Sequence, residues 1–300
     1  METRKMNINR FLLSTAAFAA LSAAAPAAAP SQAEVSAARR AAQIYQASAA
    51  TADFGAIYSS LPDSWRKALS DSVKAFASNS DSGLIGDARD TIRQIAATAV
   101  KKSDLLAGMA ADGAPFAEML SESDRRSAIV TYATKIAGVA AAATDSRLAA
   151  GDLDGILSAA PLTMKGITDT VPPLSPATAT LEAVGQPDGS VKVSGLPSLP
   201  GIPGGVLTMV KKDGAWVPKR LADGFSGCAG WPAAAAAARI PDQQVAQTRL
   251  MLGMLKGTAR QAASAQTQEQ LKQYMTQALL PLMMLNGATS GGAQGLPLQF

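Results

Sequence analysis

A proline-rich break divides this sequence into two unlike parts. From Glu34 to about Met164, alanine is abundant, β-branched runs are scarce and apolar residues recur at helical spacing. The segment VPPLSP (171–176) ends that pattern, because proline lacks a backbone N–H and clashes with the preceding turn. Short strand-like runs follow, and a helical pattern returns from about Pro241. The sequence therefore predicts an α+β fold with a mainly α-helical N-terminal region, a small antiparallel sheet and C-terminal helices.

Two predicted helices have clear start signals. After Pro62, which suits a first helical position, apolar residues fall at spacings of four, four and three, which forms one stripe. These residues are Trp65, Leu69, Val73 and Phe76. Near the C-terminus, Thr267 followed three residues later by Gln270 is typical of a capping box. We expect each helix to bury one apolar face.

The stretch VKKDGAWVPKR, which starts at position 210, predicts a β-hairpin. Its Asp213-Gly214 loop favours a type I′ turn, since glycine accepts a positive φ without steric cost. With that loop, Trp216 lies on the same sheet face as Leu207 and Met209. Two interpretations of Trp216 follow. It anchors helices onto the sheet, or it forms the wall of a ligand-binding site together with Met209 and Leu207.

The first 33 residues have the layout of a secretory signal peptide. Three basic residues, Arg4, Lys5 and Arg10, precede the apolar run FLLSTAAFAALSAAA, and small residues follow it. Cleavage after Ala33 or after Ala27 fits the preference for small residues at such sites. We predict an exported protein, periplasmic or secreted, with no stable membrane span after cleavage. Retention of the segment as a membrane anchor is the alternative.

The changes in pattern along the chain define five segments. We assign 1–33 to a signal peptide, 34–170 to a helical region, 171–226 to a small antiparallel sheet with the Asp-Gly hairpin, 227–285 to C-terminal helices and 286–300 to a flexible tail.

The charge distribution argues against a nucleic-acid partner. The chain has 27 Lys and Arg and 23 Asp and Glu, of which residues 1–33 hold three and one, so the remainder carries a formal charge of +2. Nucleic-acid binders usually concentrate basic charge on one face, whereas the basic doublets here are scattered. We interpret them as solvated surface.

The absence of histidine excludes several chemistries. The sequence contains no His and a single Cys, Cys228. Ser-His-Asp and Cys-His nucleophiles, His-ligated zinc or haem and thiolate clusters are therefore excluded. We predict no cofactor and no metal site. Cys228 is interpreted as a small buried apolar residue, with a regulatory thiol as the alternative.

Two weak patterns remain for catalysis. Ser64 and Lys67 match the S-x-x-K pattern of serine acyl-enzymes, but the supporting S-D-N and K-T-G elements are missing. Glu118 and Glu122 lie one helical turn apart, and paired carboxylates serve as acid and base only where their pKa values are separated. Solvated surface is the better interpretation of both patterns.

Three stretches resemble a group of exported bacterial proteins, periplasmic or lipoprotein-like, of unknown activity. They are DFGAIYSSLPDSWRKALSDSVKAFAS, VKKDGAWVPKRLADGF and SAQTQEQLKQYM. The shared elements are an "LPxSW" helix and a late "DGxWVPK" hairpin. The resemblance implies an organisation of helices around a hairpin and implies no chemistry. Lipoprotein members would differ from this chain, which has no Cys near the cleavage sites.

These observations predict a non-enzymatic protein of the cell envelope that binds a protein partner or a small apolar ligand. The prediction depends on the missing catalytic residues, the apolar helical stripes and the tryptophan hairpin. The alternative is a hydrolase of cell-wall or glycan material that uses only Asp, Glu, Ser, Lys or Tyr.

Overall fold

The computed structural model describes residues 29–111, 121–162, 180–196, 205–238 and 240–278. These ranges are mainly helical with one small antiparallel sheet, which confirms the predicted α+β class. In chain order the elements are α1 (Gln32–Ala50), α2 (Phe54–Ser59), α3 (Asp63–Asn79), α4 (Ser82–Lys101), α5 (Ser103–Ala111), α6 (Glu122–Ala142), α7 (Asp145–Ala150), α8 (Leu153–Leu157), β1 (Glu182–Gly185), β2 (Val191–Leu196), β3 (Gly205–Lys212), β4 (Ala215–Pro218), α9 (Lys219–Gly224), a 3-10 turn (Cys228–Gly230), α10 (Trp231–Ala237), α11 (Asp242–Ala262) and α12 (268–278). Four features of the sequence analysis lie outside the described residues: the VPPLSP break, Glu118, the predicted tail and most of the predicted signal segment.

The four strands pair in sequence order as an antiparallel meander. Asp213 and Gly214 both have positive φ, 46° and 84°, as a type I′ turn requires. Trp216 pairs with Lys211, and Met209 pairs with Pro218. The predicted hairpin register is therefore confirmed, and it places Trp216, Met209 and Leu207 on one sheet face.

Helix α1 packs against all four strands and covers that face of the sheet. The core between them contains the fully buried side chains of Val191, Val193 and Met209. At one side of this core, Trp65 of α3 stacks on Phe225 with ring centroids 4.6 Å apart. We call this cluster of buried residues the sheet core.

A hydrogen-bonded box starts α1 before the predicted boundary at Glu34. The Ser31 hydroxyl accepts from the Glu34 N–H, and the Ser31 N–H donates to the Glu34 carboxylate at 3.1 Å. Lys211 of β3 donates to the same carboxylate at 2.9 Å, which joins the start of α1 to the hairpin. Cleavage after Ala33 would remove Ser31 and this cap, whereas cleavage after Ala27 would leave both in place.

Helices α4, α5, α6, α11 and α12 form a second region, which we call the bundle. Helix α4 lies between α6 and α11. The residues buried between α4 and α6 are small or β-branched: Ala96, Val100, Val130, Ala133 and Ala137. Gly138 of α6 lies directly against the carbonyl oxygen of Ala160, where a Cβ atom would overlap it. Small side chains thus let the backbone segments of the bundle approach closely.

Ion pairs fix the position of α11 along α4. Arg249 bonds to Asp81 at 2.6 Å and lies 3.5 Å from Asp87, while Lys256 lies 3.4 Å from Asp90. Each exposed pair contributes little by itself, and the three contacts are consistent with one alignment of α11 along α4. Helix α12 begins after Thr267, whose hydroxyl accepts from the Gln270 N–H at 3.3 Å, as predicted. The other half of the predicted capping box differs, because the Gln270 side chain accepts from the Gln266 N–H at 2.8 Å.

Candidate functional site

An apolar cleft of about 300 Å³ opens in the bundle between α4, α5, α11 and α12. Among the described residues, its lining is almost entirely carbon and includes one charged side chain. The lining residues are Ile95, Thr98, Ala99, Lys102, Leu106, Leu255, Thr258, Ala259, Ala262, Leu271, Tyr274, Met275 and Ala278.

The cleft exists because alanines line its walls. Ala99 of α4 and Ala259 and Ala262 of α11 project no side chain beyond Cβ into the space between the helices. Leu271, which also lines the cleft, is buried and packs with Ala262 and Ala265. Longer side chains at the alanine positions would fill the space, so the cleft is a direct result of side-chain size.

The threonine hydroxyls of the cleft are already hydrogen-bonded to the backbone. Thr98 donates to the carbonyl oxygens of Gln94 and Ala259, at 2.9 and 3.0 Å. Thr258 donates to the carbonyl oxygen of Met254 at 3.0 Å. Because both hydroxyls already have hydrogen-bond partners in the protein, they bind water in the cleft only weakly. An apolar ligand can therefore replace that water without leaving either hydroxyl unsatisfied.

Exposed apolar side chains continue the surface beyond the cleft. Ile95 lines the cleft yet stays 44% exposed, and Ile92 lies one turn before it on α4. On α11, Met254 lies one turn before Thr258 and is 49% exposed, and Leu250 one turn earlier is 67% exposed. Single exposed apolar residues are ordinary, but a set that continues a cleft is typical of a binding surface.

Lys102 is the one charged side chain among the described residues of the cleft lining. It follows the last residue of α4, and its ammonium group donates to the carbonyl oxygen of Ala265 in the turn between α11 and α12. Among the ion pairs of the described ranges, none includes Lys102. The cleft surface itself is almost wholly apolar, so Lys102 contributes mainly the carbon atoms of its side chain to the described lining.

The structure places the sequence-predicted ligand residues elsewhere. Met209 is fully buried and Trp216 nearly so in the sheet core, and Leu207 packs against that core. None of the three lines the apolar cleft. Their burial favours the interpretation that Trp216 anchors helices onto the sheet, while a ligand-binding role for these three residues stays a prediction.

The residues of the S-x-x-K pattern are held apart by other partners. The Ser64 hydroxyl donates to the carboxylate of Asp213 in the hairpin turn, and the Lys67 ammonium donates to Asp71 at 2.7 Å. A Ser-Lys dyad requires the amine to accept the hydroxyl proton, so this arrangement does not activate Ser64. Glu122 is exposed in the first turn of α6.

Two further possibilities concern the lone cysteine, Cys228, and a metal site. Cys228 is buried in the sheet core, as expected of a small apolar residue. Within the described part of the chain, no group of three or more acidic or Cys side chains could hold a metal ion.

A polar depression of about 530 Å³ lies where α3 ends and α11 begins. Asp81 on its rim caps α4 by accepting from the Leu84 N–H at 2.7 Å, and it also binds Arg249. These contacts hold the helix junction together. The apolar cleft is therefore the stronger candidate for a binding site.

Sequence reasoning missed the cleft although its residues were visible. Four of the apolar residues in or beside the cleft belong to regular stripes: Ile92, Ile95, Met254 and Met275. Such stripes predict buried helix faces and do not reveal which faces remain open.

Across the described helices, none is both long and apolar enough to cross a bilayer. Comparison of the chain with protein-family models, with curated proteins and with solved structures finds no match.

Proposed function

We propose that this protein is an exported, non-enzymatic binding protein of the cell envelope that holds a small apolar ligand in the cleft of the bundle. The observation that supports the proposal is the cleft itself, which combines a volume of about 300 Å³ with an almost wholly apolar lining. Export is supported by the signal-peptide layout of the first 33 residues.

The size of the cleft suits a small molecule. Ligand pockets in proteins commonly measure roughly 300–1,000 Å³ and have mostly apolar walls with few polar groups. A dry cavity of about half this volume, near 150 Å³, is enough for benzene in another protein. A single aromatic ring system or a medium-length alkyl chain therefore fits the dimensions found here.

The chemistry of the described residues supports binding over catalysis. The chain has no histidine, and the described cleft lining contains no carboxylate, Ser or Cys. Lys102 and Tyr274 line the cleft, but its surface is almost wholly apolar, and Lys102 donates to the carbonyl oxygen of Ala265. The hydroxyl and amine of the S-x-x-K pattern bond to different aspartates.

Fluorescence titration with the neutral apolar probe N-phenyl-1-naphthylamine tests the proposal. We expect saturable binding to the purified protein and at least about tenfold weaker binding to Thr258→Trp, because the indole would project into the cleft.

Thr248→Trp is the matched control. Thr248 lies on the same helix, is half-buried as Thr258 is, and also donates its hydroxyl to the carbonyl oxygen four residues earlier. It does not line the cleft. Equal affinity of the two variants, or no saturable binding to the unaltered protein, would contradict the proposal.

A further inference from the structure

We infer that residues 279–285 of this chain bind to the chain's own apolar cleft when no ligand is present, and that this segment and the ligand exclude each other. The segment has the sequence LLPLMML and lies outside the described residues. We call it the terminal apolar segment. This inference rests on the proposed function and adds to it a regulation of the same site, because ligand binding would release the segment.

The described part of α12 ends at the cleft, with the terminal apolar segment directly attached. The residues of α12 that line the cleft recur at helical spacing on one face: Leu271, Tyr274, Met275 and Ala278. Ala278 is also the last residue that the structure describes, and the segment begins at the next position. A segment tethered without a linker has a high effective concentration at the cleft, so weak apolar contacts suffice to hold it there.

A proline in the segment favours a change of chain direction beside the cleft. Pro281 has no backbone N–H to continue a helical hydrogen-bond pattern, and it disfavours the helical conformation of the residue before it, Leu280. We therefore expect the direction of α12 to end before Pro281. The apolar residues that follow, 282–285, span roughly 13 Å when extended, which is enough for them to turn back over the lining.

The side chains of the segment match the cleft lining in kind. Every residue from 279 to 285 is apolar, and the surface of the cleft is almost wholly carbon. Methionine is unbranched and flexible, so it fills irregular space between helices well. Beside the cleft, Ile95 and Met275 remain half-exposed. A segment that lies on the cleft removes this apolar surface, as well as its own, from water.

A segment that extends away from the bundle is the competing explanation. In that arrangement, the methionines of the segment react equally fast whether the cleft is open or filled. If the segment binds in the cleft, its methionines become reactive when another group takes their place.

Oxidation by hydrogen peroxide is the first test, because peroxide converts accessible methionine to the sulfoxide, which mass spectrometry of peptides detects. We expect Met283 and Met284 together to react at least about tenfold faster in Thr258→Trp, whose indole occupies the cleft, than in the unaltered protein. Thr248→Trp, outside the cleft, should leave their rate unchanged. Met209, which is fully buried, should stay protected in every variant and so shows that each is folded.

Leu282→Asp tests the same contact through the affinity of the naphthylamine probe. A carboxylate is costly to bury among apolar walls, so this change should release the segment. We expect the probe to bind about tenfold more tightly to Leu282→Asp than to the unaltered protein, as when the segment leaves only about a tenth of the molecules open. Ala293→Asp is the matched control, because it adds the same charge outside the segment and should leave the affinity unchanged.

The outcomes separate this inference from the proposed function. Equal methionine reactivity in Thr258→Trp, or equal probe affinity in Leu282→Asp, overturns the inference and leaves the proposed apolar binding intact. Weaker probe binding to Leu282→Asp also overturns it, since the segment would then help to hold the ligand. Faster oxidation in Thr258→Trp, with no probe binding to any variant, supports the contact of the segment with the cleft and contradicts the proposed function.

The concentration of the protein distinguishes a contact within one molecule from a contact between two. Protection of the methionines that disappears on dilution, together with a dimer in native mass spectrometry, would place the segment in the cleft of a second copy and overturn the inference.

Discussion

The largest side chains buried in the sheet core differ in size from those buried between α4 and α6 in the bundle. The sheet core buries Trp65, Met209 and Trp216 together with fully buried valines. The interface between α4 and α6 buries three alanines and two valines. The bundle also buries Leu255 and Leu271, but other large apolar residues, such as Ile95 and Met254, are half-exposed.

This difference follows from the abundance of alanine in the helices of the bundle. Alanine is the best helix former and allows helices to approach closely, but its methyl group fills little space. Where four helices meet, space therefore remains, and the bundle contains the cleft. The sheet core, in contrast, is filled by large side chains such as Trp65, Met209 and Trp216.

The largest expected difference between the regions comes from truncating one large residue in each. Met209→Ala should reduce the free energy of unfolding by about 2–5 kcal/mol, because it leaves a cavity in a filled core. Ile95→Ala should reduce it by less than about 1 kcal/mol, since 44% of the side chain is already exposed. Urea unfolding of both variants measures the two values.

The same variants decide the role first predicted for the hairpin residues. If Met209 belongs to a ligand site, Met209→Ala should weaken binding of the naphthylamine probe and leave stability nearly unchanged. Equal destabilisation by Met209→Ala and Ile95→Ala would break the distinction between a filled core and an open bundle.

A second pair of variants examines how closely backbones approach in the bundle. Gly138→Ala should destabilise the protein by about 1–3 kcal/mol, because the new Cβ would overlap the carbonyl oxygen of Ala160. Gly253→Ala on α11, where no atom lies within 4 Å of a Cβ, should stabilise it by about 0.5–1 kcal/mol. Chemical unfolding followed by circular dichroism reports both. A neutral Gly138→Ala would show that the 159–162 segment shifts freely away from α6.

The smallest effect concerns the contact between α1 and the hairpin. Hydrogen bonds from Lys211 and Ser31 lower the pKa of the Glu34 carboxyl from 4.5 to about 2. The folded state therefore favours the charged form. The stabilisation is complete above about pH 4.5 and is lost as the pH falls towards 2.

Glu34→Gln should therefore lower stability at pH 7 and reduce the slope of stability against pH between about 5 and 2. Unfolding midpoints at a series of pH values measure this slope. Asp242→Asn, at an exposed position in the first turn of α11, is the control. An unchanged slope in Glu34→Gln would show that the contact with Lys211 does not stabilise the folded state.

Local features were predictable from sequence where local chemistry determines them. The Asp213-Gly214 turn defines the pairing of Trp216, because glycine permits the positive φ that a type I′ turn requires. The same kind of local rule predicts the cap at Thr267 and the helix that begins directly after Pro62. The cap at Ser31 was missed because it lies inside the predicted signal segment.

The site was not predictable in the same way. A stripe such as Ile92 and Ile95 on α4 shows that a helix has an apolar face, but the stripe is the same whether a neighbour covers that face or leaves it open.

The amino-acid sequence by itself determined the α+β class, the hairpin register and the chemistries excluded by the missing histidine, because each depends on residue identity or on contacts between near neighbours in the chain. Only the tertiary structure decided that Trp216 and Met209 are buried in the sheet core and that Lys102 lines an open cleft. Lys102 and Ala265 are 163 positions apart, and only the packing of the helices brings two such distant residues together.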